Sequence, residues 1–259
     1  MNHSGRETQR IVRLADGADR HRLKSFGLTL LDFFLPRFCL FCGAAVASEP
    51  GSVICPDCQS QVQWIHSPLC PVCGAPFKGA GVDHLCSNCQ LHPPFYHRAR
   101  AVAFYDGVVL EAIHRFKYHR RLAYARLLKD WLATPTGLEM AQAADLILPV
   151  PLHPRRLRSR GFNQALVLAQ AFPDLPLGRD LLIRTRWTKP QVGLSGKERL
   201  DNVHHAFAVK DPEAVAGKNI LLIDDVFTTG ATIRECARVL IKAGVRQVEV
   251  LTVARVGYA

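Results

Sequence analysis

Two adjacent carboxylates, Asp224 and Asp225, stand just before a turn of small residues, Thr228, Thr229, Gly230, Ala231 and Thr232. Carboxylates accept hydrogen bonds from vicinal hydroxyls and can help hold Mg²⁺ directly or through water. A small-residue turn opening a helix lets backbone N–H groups and the helix dipole converge on an anion. Hydroxyl acceptors beside such a phosphate nest suit a ribose 5-phosphate. A P-loop is excluded, because no Gly-Lys-Ser/Thr follows the turn. The bland alternative is an N-capped helix after a buried strand, with solvated aspartates. Two acids followed by TTGAT form a far narrower pattern than a cap requires.

The elements that must position these residues are readable on both sides. Ile220, Leu221, Leu222 and Ile223 form an unbroken apolar run, suited to a strand buried on both faces of a parallel sheet. After the turn, Ile233, Ala237, Leu240 and Ile241 fall at helical spacing, and Gly244 sits where a helix C-terminus wants it. Upstream, residues 145–151 (DLILPVP) read as a second buried strand, and HPRRLRSRGFNQ follows as an arginine loop before another helix. Arg155, Arg156, Arg158 and Arg160 precede Gly161, so this loop also suits an anion, with Arg160 the first choice. Residues 99–105 and 248–253 read as further strands, 181–186 as another, and 108–132 as one long helix. That helix carries HRFKYHRRLAYARLLK, by default a solvated basic face. The sharper reading is a nucleic-acid surface with Phe116 and Tyr118 as stacking residues.

LLIDDVFTTGAT resembles the motif by which type I phosphoribosyltransferases bind 5-phosphoribosyl 1-pyrophosphate (PRPP). The resemblance implies that Asp224 and Asp225 hold the ribose 2- and 3-hydroxyls. It also implies that Val226, Thr228, Thr229, Gly230, Ala231 and Thr232 surround the 5-phosphate, and that the arginine loop takes the pyrophosphate. The polar stretch 188–207 stands where that family carries a loop that closes over the site. Lys189, Gln191 and Arg199 are its candidates for contacting the substrate.

A second chemistry precedes this one. Cys39 and Cys42, Cys55 and Cys58, Cys70 and Cys73, and Cys86 and Cys89 form four C-x-x-C pairs, and the second half repeats the first at an interval of 31 residues. Four thiolates per repeat, paired across a short hairpin, suit tetrahedral Zn²⁺, giving two structural zinc sites. So short a unit cannot bury a core, so metal supplies its folding energy. An iron–sulfur cluster is the one serious rival. Grouping the ligands within each repeat is the simplest arrangement, although spacing alone also allows crossed pairing. The ninth cysteine, Cys236, makes an odd count that argues against a disulfide framework, and it reads as a packing residue.

The 259 residues allow one good-sized domain and a small one. Formal charge is +11 and the pI about 9.5, a balance that suits polyanionic partners. Residues 1–22 are polar and read as a disordered tail, followed by a short amphipathic helix over 23–38. The longest apolar candidate, 28–35, is short and broken by Asp32, so no membrane insertion is expected. The N-terminus shows no secretory pattern, and the protein is expected in the cytoplasm.

VPLHPRRLRSRGFNQ, TKPQVGLSGKERLDNV and LLIDDVFTTGAT, in that order behind a cysteine-rich start, resemble the ComF/ComFC competence family. The expected architecture is α/β: a type I phosphoribosyltransferase-like parallel-sheet core over 98–259, a double zinc ribbon over 39–90, and the 1–38 tail and helix. The expected function is PRPP binding linked to DNA uptake in natural transformation, with single-stranded DNA and DNA-uptake or helicase proteins as partners. Two forms of it stand: Mg²⁺-dependent phosphoribosyl transfer to an acceptor the sequence does not name, and a non-catalytic PRPP-responsive adaptor.

Overall fold

A computed structural model of the chain describes residues 37–46, 51–119, 122–187 and 203–257. The 1–22 tail, nearly all of the 23–38 helix, and Lys189, Gln191 and Arg199 lie outside them. The chain divides between Gln59 and Ser60 into two compact units.

The first unit holds one cysteine repeat. Its knuckle is a tight hairpin, with Phe38 bridged to Ala45 and the Cys39 N–H donating to Ala44 O at 2.7 Å. Gly43 makes the turn at φ +74°. Helix α1 (Pro56–Ser60) holds Cys58 of the second cysteine pair, and Cys55 directly precedes it.

The second unit opens with the other repeat, built the same way. Leu69 is bridged to Pro76, the Cys70 N–H donates to Ala75 O at 2.8 Å, and helix α2 (Ser87–Leu91) holds Cys89. There follow β1 (Arg98–Phe104), α3 (Gly107–His119), α4 (Leu122–Leu132), α5 (Pro135–Gln142) and β2 (Leu146–Pro149). Next come α6 (Pro154–Arg160), α7 (Gln164–Ala169), β3 (Leu182–Arg184) and β4 (Phe207–Val209). The unit closes with β5 (Asn219–Phe227), α8 (Ala231–Lys242) and β6 (Gln247–Arg255).

Four strands form a wholly parallel sheet in the order β1-β6-β5-β2, while β3 and β4 make a separate antiparallel pair. Ile220, Leu222, Val248 and Val250 share one apolar cluster with Ala237 and Leu240 of α8 and with Cys70, Cys73 and Cys89. Each large apolar side chain so buried contributes about 1.5–3 kcal/mol. The second ribbon is thus part of the wall of the sheet's core. Both outer edges of the sheet are covered. At β1, the Ala99 N–H donates to Val72 O (2.7 Å) and the Phe104 N–H to Gln63 O (2.8 Å). At β2, the Ile147 N–H donates to Pro176 O (2.8 Å) and the Gly178 N–H to Ile147 O (2.9 Å).

Of the expected 108–132 helix, the described residues are helical as α3 and α4, and residues 120 and 121 lie outside them. One expectation needs correction. The arginine loop is a helix, α6. The His153 ring accepts from the Arg155 N–H (3.2 Å), Pro154 starts the helix, and Gly161 at φ +86° ends it with its N–H on Leu157 O (2.7 Å). Among the described residues no helix is long and apolar enough to cross a membrane.

Candidate functional site

The eight paired cysteines form two groups of four, Cys39, Cys42, Cys55, Cys58 and Cys70, Cys73, Cys86, Cys89, with the sulfurs of each group within 4.8 Å of one another. Ligands therefore group within repeats, not across them. A Zn–S bond of about 2.3 Å places tetrahedral sulfurs about 3.8 Å apart. The Sγ atoms of Cys42 and Cys55 are 3.6 Å apart, and those of Cys73 and Cys86 are 3.7 Å apart, which suits a single ion. Burial opposes ionisation of Cys39 and Cys70, yet the knuckle amides outweigh it and lower these thiols to about 6 and about 7. Cys236 belongs to neither group and is fully buried in α8.

The second site is a cavity of about 550 Å³ beside the C-terminal part of β5. One wall is the acid pair with Val226 and the turn residues Thr228, Gly230, Ala231 and Thr232. Gly230, at φ +75°, is the N-cap of α8, and a Cβ there would meet the Phe227 ring at 2.6 Å. The opening amides of a helix have no intrahelical acceptor, so this turn presents donors to an anion. The lining also carries cations, Arg156 and Arg160 from α6 and Arg184 from β3. Arg156 and Arg160 lie four residues apart and share a helix face, whereas Arg155 and Arg158 are exposed and take no part in the cavity. Burial, and then Arg160, lowers the pKa of Arg156; burial, and then Arg156, does the same to Arg184. Guanidiniums whose charged form is disfavoured in this way, Arg156 and Arg184, gain from a bound anion.

The two aspartates have opposite characters. Asp225 is 4% exposed; its carboxylate pairs with Lys117 of α3 and accepts from Gln164 Nε2 at 3.3 Å. Burial would raise its pKa, but the Lys117 ammonium and these hydrogen bonds hold it below the ordinary carboxylate range. Asp224 is partly open to the cavity, and its Oδ1 accepts from the Asp225 N–H at 2.9 Å. Burial first, and the Asp225 charge second, push it well above the usual range. A network continues outward, for Arg160 Nη1 donates to Gln164 Oε1 at 2.6 Å. Of the residues expected to surround the 5-phosphate, Thr229 is absent from the cavity wall; it is exposed, and its hydroxyl accepts from the Ala231 N–H at 3.4 Å.

Residues 30–90 match the family described as double zinc ribbon domain, and residues 157–257 match the phosphoribosyl transferase domain. The DNA utilization protein YhgH of Escherichia coli (strain K12) is 34% identical over 237 residues, spanning 85% of this chain and 98% of that protein. Competence protein F of Haemophilus influenzae is 30% identical over 235 residues, spanning 87% of this chain and all of its own length (100%). This chain belongs to the ComF family. Competence protein ComFC of Bacillus subtilis is 29% identical over 202 residues, covering 76% and 81% of the two chains. Among solved structures, the glutamine PRPP amidotransferase of B. subtilis aligns over 54% of this chain and 30% of its own, with 20% identity and a TM-score of 0.34.

In this ComF-family chain, sequence reasoning overlooked Lys117, Gln164 and Arg184. Lys117 belongs to the run that reads by default as a solvated basic face, yet it lies four residues beyond Ile113, on the buried stripe of α3. Gln164 likewise shares its buried face with Leu168. A polar residue at an apolar phase was the available signal for both. Phe116, expected as a stacking residue, is fully buried and packs 5.0 Å from Phe162; Tyr118 is exposed.

Proposed function

We propose that the cavity binds PRPP and that this binding serves the handling of DNA, as the names of the competence and DNA utilization relatives suggest. One observation carries the reading: paired carboxylates, a helix N-terminus and three arginines line one cavity. Asp224 accepts from the ribose hydroxyls, and Asp225, anchored by Lys117 and Gln164, holds it in place and adds negative charge behind it. The turn from Thr228 to Thr232 takes the 5-phosphate. Arg156, Arg160 and Arg184 take the pyrophosphate. Asp224 would help hold Mg²⁺, which would supply countercharge to the leaving pyrophosphate. In a transfer reaction the C1–oxygen bond to pyrophosphate breaks through an oxocarbenium-like state, and the arginines stabilise the departing oxygens. Titration calorimetry with PRPP and Mg²⁺ tests the reading. Wild-type protein binds, and Asp224→Asn loses most of the affinity. Absence of wild-type binding would refute it.

A second reading, binding without turnover, is favoured by the surface next to α6. Trp187 is 42% exposed, has the Arg155 and Arg156 guanidiniums 5.8 and 5.9 Å from its ring, and meets His153 edge-on at 5.1 Å. Arginine and an open indole together make a stacking platform for unpaired bases. Pyrophosphate release, measured with a panel of nucleobases, separates the two readings: release marks an enzyme, and PRPP binding without release marks a sensor.

A further inference from the structure

Within the second unit, the metal group and the phosphate turn are joined by a short buried path. Arg255, the last residue of β6, is 1% exposed. Its Nη1 donates to the Cys73 carbonyl at 2.6 Å, and its Nη2 lies 4.0 Å from the Cys73 sulfur. Its guanidinium carbon stands 4.4 Å from the centre of the Phe227 ring. Phe227 ends β5 in register with Arg255, and Tyr96 braces the ring edge-on at 6.5 Å. The same ring presses on Gly230, the N-cap of α8. Metal ligand, guanidinium, ring and N-cap therefore touch in series.

A buried guanidinium is costly unless it meets negative charge or acceptors. Four thiolates around one Zn²⁺ carry a formal charge of about −2, which the ion fixes in place. The ribbon is also bound to the sheet next to this path. The Ala99 N–H donates to Val72 O, between Cys70 and Cys73, and a Cβ on the knuckle residue Gly74 would lie 2.5 Å from Ala99 O. Displacement of the knuckle thus moves the carbonyl that Arg255 holds.

We propose that Arg255 is a positioning residue through which the metal held by Cys70, Cys73, Cys86 and Cys89 sets the shape of the turn at Gly230. This rests on the reading of that turn as the 5-phosphate site. The second ribbon is then a determinant of ligand affinity as well as a folding device. Coupling between two sites is reciprocal: if the metal favours the ligand-ready turn, the ligand tightens the hold on that metal.

The test uses full-length zinc-loaded protein and two readouts. In the first, zinc is extracted with increasing chelator in the presence and absence of PRPP and Mg²⁺, and Cys42→Ser, which removes a first-repeat ligand, identifies which ion is which. PRPP raises the chelator concentration needed to extract the second-repeat zinc by about fivefold or more and leaves the first unchanged. In the second, Arg255→Met retains two zinc ions but binds PRPP about five- to a hundredfold more weakly, with partial recovery in Arg255→Lys. Should wild-type protein bind PRPP while zinc retention stays the same, the coupling is refuted and the phosphate site stands. Equal PRPP affinity in Arg255→Met and wild type refutes it as well. Failure of wild-type protein to bind PRPP removes the phosphate reading and this inference together. If Arg255→Met does not fold, the chelator experiment on wild type decides alone.

Discussion

Asp224 and Asp225 differ by one position in the chain and are opposite in electrostatic character. Asp224 takes up protons more readily in the folded protein than in the unfolded chain, because of burial and its neighbour's charge. The native state therefore binds more protons above the ordinary carboxylate range, and stability falls as pH rises through that window. Asp224→Asn removes this penalty. Calorimetric melting is expected to show a higher Tm than wild type at pH 7 and a smaller difference at pH 4, alongside weaker PRPP binding. Asp225 is the reverse case, its pKa held low by Lys117 against the effect of burial. Its contribution is present above the ordinary carboxylate pKa and is lost as pH falls through the depressed one. Asp225→Asn leaves Lys117 buried without its partner and is expected to cost about 3 kcal/mol, with Lys117→Met/Asp225→Asn recovering part of the loss in denaturant melts.

At the scale of the element, α6 selects among its arginines by phase. Arg156→Gln and Arg160→Gln are expected to weaken PRPP binding about tenfold each, the usual worth of a charge-assisted hydrogen bond. Arg158→Gln, on the exposed face, leaves it unchanged; the same calorimetric titration checks all three. The chain did announce this helix. Pro154 opens it and Gly161 closes it, but a seven-residue helix with no buried side chain shows no apolar period, so the arginine run read as a loop. By contrast, β5 and α8 were legible almost residue by residue, since Ile220 to Ile223 and the Ile233, Ala237, Leu240 stripe follow the geometry of buried elements. The Lys117–Asp225 pair was not, because 107 residues of intervening chain separate its members and only tertiary packing brings them together.

At the scale of the whole molecule, the cysteine repeat announced two alike metal modules, and each does hold its own four ligands. The role of the second repeat lies in contacts no local pattern encodes: it packs with the sheet and shares its apolar cluster. Cys73→Ser is therefore expected to lower the Tm of the main transition by several degrees, and Cys42→Ser to leave that transition in place, as followed by scanning calorimetry. The outer rim of β1 has its N–H and C=O groups engaged by residues of the second repeat and the stretch leading into it. Stripped of zinc, that stretch would loosen and leave an unprotected strand able to recruit the same strand of another copy. Zinc starvation would then convert a working protein into a seed for self-association, visible as light scattering that rises with chelator, is suppressed by returned zinc, and stays flat when only the first repeat's ion is lost.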